Sequence, residues 1–525
     1  MTIERRTLIK AAGGLAVFSG LGGTPVLAQS LGGYPFTLGV ASGDPAPDGF
    51  VIWTRLATRP LEHGGGMPMH TVLVGWEVAE DERFVRIVAS GRELARPELG
   101  HSVHVEVGGL KPAGRYWYRF SAAGETSMIG TVRSAPAAGA RADRLRIGVA
   151  GCQHYEAGLY TAYRHLSQEP DLDAIFHYGD YIYEGPAGKG CPVSGTGPDK
   201  SRTCLRTHQG DEIYTLDDYR RRYAQYKTDP DLQAAHAAAA FLSSYDDHEV
   251  DNNWAGEHDQ DGTPSAVFQL RRAAAMQAWY ENMPVRRAQF PTPAGVRMHR
   301  RIDYGDLLRV HVLDTRQYRS GPICNGKNVD RCLPMDDVSC PTILGSGQEA
   351  WLGDGLVNGM RWNLLAQQVM VMPFLYPESR GLGRTNTDSW SGYLASREKL
   401  VAMIGERKLG NVVIATGDVH KHHAGVVPTR AEALDGPAAA TEFVCSSISS
   451  GGDGVALEAD WKGVPASNPH CGLIDGRRGY QLFDIGRDQW RTDVCVVDRV
   501  TSPGGKVSRV ARFAVEQNKP GLHRG

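Results

Sequence analysis

Two stretches decide the fold: LRIGVAGCQH at 145–154 and LDAIFHYGDYIY at 172–183. Each opens with a short apolar run and closes in a polar turn carrying Cys, His, Asp or Tyr. Between them, Gly158–Ser167 has the apolar spacing of a helix. Strand, helix and strand in this order form a βαβ unit with parallel strands. Further apolar runs lie at Ala240–Ser244, Leu308–Leu313, Gln368–Met372 and Val412–Ala415. Residues 145–500 therefore read as an α/β domain with long loops and inserted helices.

Upstream, residues 36–133 read as short alternating strands separated by Gly, Pro and Asp turns, as in GFVIWTR at 49–55 and HSVHVEV at 101–107. That spacing predicts a small antiparallel sandwich. The stretch GLKPAGRYWY at 109–118 resembles the turn and tyrosine strand of a fibronectin type III domain. The Pro/Ala-rich segment 134–143 reads as a linker, and 501–525 as a tail. Within that tail, Val507–Glu516 (VSRVARFAVE) is amphipathic enough to form a helix, either a plain packing helix or, as the family resemblance given below implies, a lid helix.

Of 525 residues, 41% are hydrophobic and 22% charged, as in ordinary globular chains. With 63 Gly and 29 Pro, the chain is below the level that marks low complexity. The net charge of −2 offers no global attraction to nucleic acid or anionic membrane. Neither a nucleic-acid partner nor a permanent membrane anchor is expected. The N-terminus carries Arg5-Arg6, a weakly apolar stretch and Val26-Leu27-Ala28, which reads as a twin-arginine signal peptide over 1–28. Export of the folded chain to the periplasm or beyond follows, with the translocation machinery as a partner. Nine cysteines in an exported chain favour disulfides, with Cys191/Cys204 and Cys324/Cys332 close enough to pair.

Ligands of α/β sheets gather at the carboxyl ends of the strands. Here those ends supply Cys152 and His154, then Asp180 and Tyr183, then Asp246, Asp247 and His248, then Arg316, then Asp418 and His420. Such residues hold hard or borderline cations and phosphate. Two neighbouring metals need a bridging carboxylate, for which Asp180 is placed. Tyr183, three residues on, brings a phenol to the same point, and a phenolate suits Fe³⁺. Cys152, on the neighbouring strand, reaches the same ion as a thiolate. Asp247 and Asp418 offer oxygens that suit Ca²⁺. His420, two positions after Asp418, points to the same side if that segment is extended. His248 is placed to protonate a leaving oxygen, and Arg316 to clamp phosphate.

In these motifs the chain resembles the calcineurin-like metallophosphoesterases, and within them the PhoD-like alkaline phosphatase/phosphodiesterase family. The resemblance rests on Gly179-Asp-Tyr-Ile-Tyr183, Asp246-Asp-His-Glu249, Leu313-Asp-Thr-Arg-Gln-Tyr-Arg319 and Gly417-Asp-Val-His420. Gly39-Val-Ala-Ser-Gly-Asp-Pro45 and Trp53-Thr-Arg55 extend it to the N-terminal domain. It implies a metallophosphoesterase-type β-sandwich flanked by helices. It implies one Fe³⁺ held by Cys152, Asp180, Tyr183 and His420, and one or two Ca²⁺ held by Asp180, Asp247 and Asp418. The family's Val-x-x-His histidine has no counterpart; Gln368 or Asn363 stand nearest. His154, Asp246 and Asn252 would support the ligands from behind.

The function expected is an exported phosphoesterase acting on mono- or diesters through attack of a metal-bound water, with an alkaline optimum. A phospholipase D and a non-catalytic calcium-binding surface module are the rival readings.

Overall fold

A computed structural model of the chain describes residues 31–194, 201–321, 341–377 and 385–525. The signal segment 1–28 and Cys324, Cys332 and Cys340 lie outside the described residues.

The two deciding stretches fold as a βαβ unit: strand Arg144–Ala150, helix Thr161–Ser167 and strand Ala174–His177, with the strands parallel and Ala150 opposite His177. Gly148 lets the helix close onto the sheet, because a Cβ there would meet Leu166 at 2.7 Å. Strand Ala240–Ser243 adds in parallel on the other side of Ala174–His177.

These strands form the centre of a ten-stranded sheet. On one flank lie Gly479–Gly486, Gln489–Val497, Val507–Glu516 and Lys519–Arg524. On the other lie Val40–Ala46, Gly49–Arg55 and Ser102–Val107. A second sheet of seven strands centres on Leu308–Val312, Trp362–Ala366 and Val412–Thr416, which run parallel. The sheets face each other across one apolar core, in which Ile147, Val149 and Phe483 pack with Val310, Leu364, Val413 and Phe443. Helices Gly345–Gly355 and Leu394–Glu406 cover the outer face of the second sheet through Leu352, Leu400 and Ile404. The fold is thus an α/β sandwich flanked by helices.

The N-terminal region is all β, but its sheets are not closed off. Strands Val72–Ala79, Ile87–Ala95 and Arg115–Ala122 make a sheet of their own with the short strands Glu125–Thr126 and Gly130–Arg133. Val40–Ala46 instead pairs in parallel with Ala240–Ser243 and so continues the ten-stranded sheet. The segment 134–143 is pinned between the two: the Ala135 N–H donates to Ala46 O, and the Ala140 carbonyl accepts from Asp306 N.

Two sequence expectations need correction. Val507–Glu516 is a strand, not a lid helix. Its sequence fits both periods: Val507, Val510 and Ala511 mark a helical stripe, while Ala511, Phe513 and Val515 alternate and are buried. Pairing with Gln489–Val497 and Lys519–Arg524 settles the matter for the strand. Likewise Gln368–Met372 is no strand; the sheet position belongs to Trp362–Ala366 just before it. Segment 367–372 leaves the sheet and is held by the buried Glu442, which accepts from Val371 N at 2.9 Å and Met372 N at 2.6 Å.

Candidate metal centre

Cys152, Asp180, Asp247, Asp418 and His420 all follow strand ends of the two facing sheets, so the sandwich brings them to one edge. Two glycines make the approach possible. A Cβ on Gly151 would lie 2.4 Å from Cε2 of Tyr178, and one on Gly417 only 2.1 Å from the same atom. The buried Tyr178 ring therefore fits between the residues preceding Cys152 and Asp418, and its hydroxyl donates to Ser446 O at 2.9 Å.

The backbone here is unusual. Cys152, Asp180, Asp418 and His420 have φ of 50°, 54°, 68° and 54°. Left-handed φ in non-glycine residues is uncommon and persists where the surroundings enforce it, often at functional sites. Glu249 does part of the enforcing. Its buried carboxylate accepts from Tyr181 N at 2.6 Å, Asp180 N at 3.1 Å and Asp246 N at 2.9 Å, tying together the loops that carry Asp180 and Asp247.

Ligand-type atoms fall into three overlapping groups, each with its atoms within 4.8 Å of one another: Cys152, Asp180 and His420; Asp180, Asp247 and His248; Asp246, Asp247 and Asp418. Tyr183 joins the first group. Its hydroxyl donates to Asp180 Oδ2 at 2.9 Å and lies 3.2 Å from His420 Nε2. Cys152 Sγ donates to the same Oδ2 at 3.2 Å. Ser450 Oγ, 2.7 Å from the Tyr183 hydroxyl, donates to Cys152 O.

Asp180 thus belongs to two groups. Asp418 and His420, expected to point to one side, divide between groups, because the turn is left-handed rather than extended.

The charges show what the centre lacks. Burial, then the neighbouring carboxylates, push Asp180 and Asp418 well above the usual carboxylate range. Burial, then Asp180, does the same to the Cys152 thiol and the Tyr183 phenol. Burial lowers His420 to about 3. Asp247 is also penalised by burial, but Arg316 and His248 outweigh this and hold it low. Asp180 Oδ1 and Asp246 Oδ2 are buried without hydrogen-bond partners. A set of buried acids short of positive charge, with orphaned carboxylate oxygens aligned around a shared Asp180, fits bound cations. Thiol, phenol and imidazole in one group suit a transition metal, and the all-carboxylate group suits a hard cation.

Arg316 is not placed as a phosphate clamp. It is fully buried: Nε donates to Asp246 at 2.5 Å, and both Nη atoms donate to Asp388 at 2.8 Å. Its Nη2 also lies 3.7 Å from Asp418 and 3.8 Å from Asp247. The guanidinium orders the carboxylates and has no face left for substrate.

Of the supporting residues, His154 packs against the Tyr183 ring at 4.3 Å. Asn252 is bonded to Gln260 on the surface. Gln368 is consumed by Thr315 and Leu313, and Asn363 by Asn411 and Val357, so neither faces the centre.

The sequence reading assigned no role to Glu184, Glu249, Asp388, Ser450 and Arg478, although Glu249 closes one of its motifs. Glu184 and Glu249 adjoin Tyr183 and His248, so position alone offered a signal. Asp388 has none, because its role depends on Arg316 from another loop. Arg478 Nη1 donates to His420 O at 3.0 Å and Ser450 O at 2.7 Å, fastening both loops. Elsewhere, Cys191 and Cys204 form a disulfide, while Cys152, Cys445, Cys471 and Cys495 are free and buried.

The fold is of the metallophosphoesterase type, and candidate metal-binding side chains from its facing sheets meet around Asp180. The profile of the PhoD-like phosphatases matches residues 147–494, and that of the PhoD-like phosphatase N-terminal domain matches 23–136. The chain belongs to the PhoD-like phosphatase family, and so with the enzymes rather than with non-catalytic surface modules. It is 43% identical over 537 residues to alkaline phosphatase D of Bacillus subtilis (strain 168), across 100% of this chain and 89% of that one. A solved structure of PhoD superposes with a TM-score of 0.87 at 43% identity, over 94% of this chain and 92% of that one. The purple acid phosphatase PPD1 from yellow lupin (Lupinus luteus) seeds shares the fold, with a TM-score of 0.54 at 14% identity, over 92% and 74% of the two chains.

Proposed function

We propose that this protein is an exported phosphoesterase that hydrolyses phosphate mono- or diesters at a mixed Fe³⁺/Ca²⁺ centre. The observation that carries this reading is the sharing of Asp180 between a thiol–phenol–imidazole group and a carboxylate group. Cys152, Asp180, Tyr183 and His420 would hold Fe³⁺; Asp180, Asp247 and Asp418 would hold Ca²⁺. Bound there, the cations would acidify a water and neutralise charge on the phosphoryl oxygens.

The chain's own residues do the rest. Arg316 and Asp388 hold Asp246, Asp247 and Asp418 in register. Glu249 and Arg478 hold the backbones of Asp180 and His420. His248 gives a proton to the departing oxygen as its bond to phosphorus breaks. The carboxylates of Asp247 and Asp418 lower the net charge of the centre and so acidify a bound water less, which supports an alkaline optimum.

Export rests on the twin-arginine pattern of 1–28. Among the described residues, no helix is long and apolar enough to cross a membrane.

The test is hydrolysis of bis-p-nitrophenyl phosphate beside p-nitrophenyl phosphate, with Ca²⁺ or a calcium chelator, across pH 5–10. The reading expects a Ca²⁺-dependent alkaline rate, and the ratio of the two rates assigns the ester class. Metal-loaded protein inactive on both esters but active on phosphatidylcholine vesicles would replace it with the phospholipase reading.

A further inference from the structure

Cys191 and Cys204 lie outside the candidate centre but touch what supports it. The two form a disulfide, and both sulfurs lie within 4.8 Å of a carboxylate oxygen of Glu156. The buried Glu156 carboxylate accepts from Gly188 N at 2.7 Å, Gly190 N at 2.9 Å and His208 N at 2.8 Å. One carboxylate therefore clamps the backbone on both sides of the disulfide.

Beyond Cys204 the chain is firmly anchored. Arg206 donates to Tyr155 O at 2.7 Å and Gly158 O at 2.8 Å, and its guanidinium lies over the rings of Tyr155 and Tyr160. The disulfide carries that anchorage across to Cys191 and its neighbour Gly190. The backbone of Gly190 lies against the His154 ring, where an added Cβ would have no room beside Cε1 and Nε2. The same ring packs on Tyr183 with centroids 4.3 Å apart, and the Tyr183 hydroxyl donates to Asp180. Direct contacts thus lead from the disulfide through Gly190 and His154 to Tyr183.

The bond can be reached and its opening would be felt. Cys191 is buried, but Cys204 is half-buried, which gives an exchanging thiol access. A disulfide places no hydrogen-bond donor beside Glu156, whereas two thiols place two S–H donors there. Reduction therefore removes a cross-link and at the same time sets new donors competing for the carboxylate that clamps Gly188, Gly190 and His208.

We infer that Cys191 and Cys204 are a redox modification site that latches the candidate centre: as a disulfide they fix Gly190 and so seat His154 against Tyr183, and as thiols they release it. This rests on the reading of Tyr183 as a metal ligand given under the proposed function. The step balances by thiol–disulfide exchange. The Cys204 sulfur attacks a small-molecule disulfide and expels one thiol; the Cys191 sulfur then expels the second. The pair loses two electrons and two protons, and the oxidant takes them up as two thiols. A chain that folds among reducing thiols and is exported afterwards closes the latch only on arrival.

The test uses the full-length, metal-loaded enzyme in three states: as the disulfide, reduced with tris(2-carboxyethyl)phosphine and freed of it, and reoxidised with oxidised glutathione. The double variant Cys191→Ser/Cys204→Ser passes through the same treatments. Hydrolysis of p-nitrophenyl phosphate, metal content and amide hydrogen exchange of the peptides carrying Gly188, Gly190 and His208 are read in each. Reduction of wild type is expected to lower kcat about tenfold and to speed exchange at these amides about tenfold or more, with recovery on reoxidation. The double variant is expected to show the low rate throughout; if it does not fold, the reduced and reoxidised wild type carries the test.

Equal rates in all states of the wild type, or a double variant as active as the disulfide form, would make the pair a plain staple and overturn the inference. A loss on reduction shared by wild type and double variant would overturn it too, because the reductant then acts on Cys152 or the metal. Faster exchange with an unchanged rate would show that the latch does not reach the centre. If the disulfide form hydrolyses neither ester, the proposed function falls. The latch is then judged on amide exchange and metal content, and it stands only if both change on reduction in wild type alone.

Discussion

Gly417→Ala tests how the fold delivers Asp418 to the centre. The new Cβ would lie 2.1, 2.3 and 2.5 Å from Cε2, Cδ2 and Cζ of Tyr178. Carbon atoms in contact sit at about 3.5 Å or more, so ring and chain must separate by roughly 1.4 Å. The ring cannot take this up alone. Gly151 closes its other approach, where a Cβ would meet the same Cε2 at 2.4 Å, and the hydroxyl is tied to Ser446 O. Part of the shift passes to Asp418, the next residue. Overpacking of this kind costs about 1–3 kcal/mol in stability. A misplacement of about 1 Å in a site of this type lowers activity about 100-fold. Urea unfolding, metal content and kcat/KM on p-nitrophenyl phosphate measure these effects. Gly405→Ala is the control. It lies in helix Leu394–Glu406 with nothing within 4 Å of its added Cβ, so it is expected to keep full activity. Gly417→Ala with stability and activity matching Gly405→Ala would refute the claim that Tyr178 sets the position of Asp418.

Three further outcomes are expected. Glu249→Gln places an amide NH₂ against backbone N–H donors where a carboxylate accepted all three; we expect a loss of about 1–3 kcal/mol in urea unfolding and a fall in metal content. Arg316→Lys replaces the fork on Asp246 and Asp388 by a point charge, and an unfolding midpoint equal to wild type would contradict the assigned role; the expected cost is about 3 kcal/mol. His104, far from the candidate metal centre in sequence and bonded to Tyr280 O and Met283 O, is lowered by burial to about 4. Its folded pKa lies below its unfolded one, so its contribution is complete above about pH 6.5 and is lost as pH falls toward 4. Between pH 7 and pH 4.5 wild type should lose roughly 2–3 kcal/mol on this account, a share absent from His104→Asn when urea midpoints are compared at the two pH values.

The sequence by itself determined the α/β class and brought most of the candidate metal-binding residues to strand ends, because these are local signals. An apolar run followed by a polar turn places Cys152, Asp180, Asp247, Asp418 and His420 at strand ends wherever the strands meet. Gly179-Asp-Tyr-Ile-Tyr183 brings the Tyr183 phenol to Asp180 within a single turn. Tertiary structure decided what depends on distant partners. Val507–Glu516 satisfies helical and strand periods alike, and only hydrogen bonds to Gln489–Val497 and Lys519–Arg524 select the strand. Arg316 reads as a free phosphate ligand until Asp388, 72 residues away, occupies its fork. Glu184 carries no motif of its own; only the fold sets it 2.7 Å from His248. A residue's backbone turn is encoded by its neighbours in the chain, but the charge that faces it is supplied by other loops, and that charge determines its role.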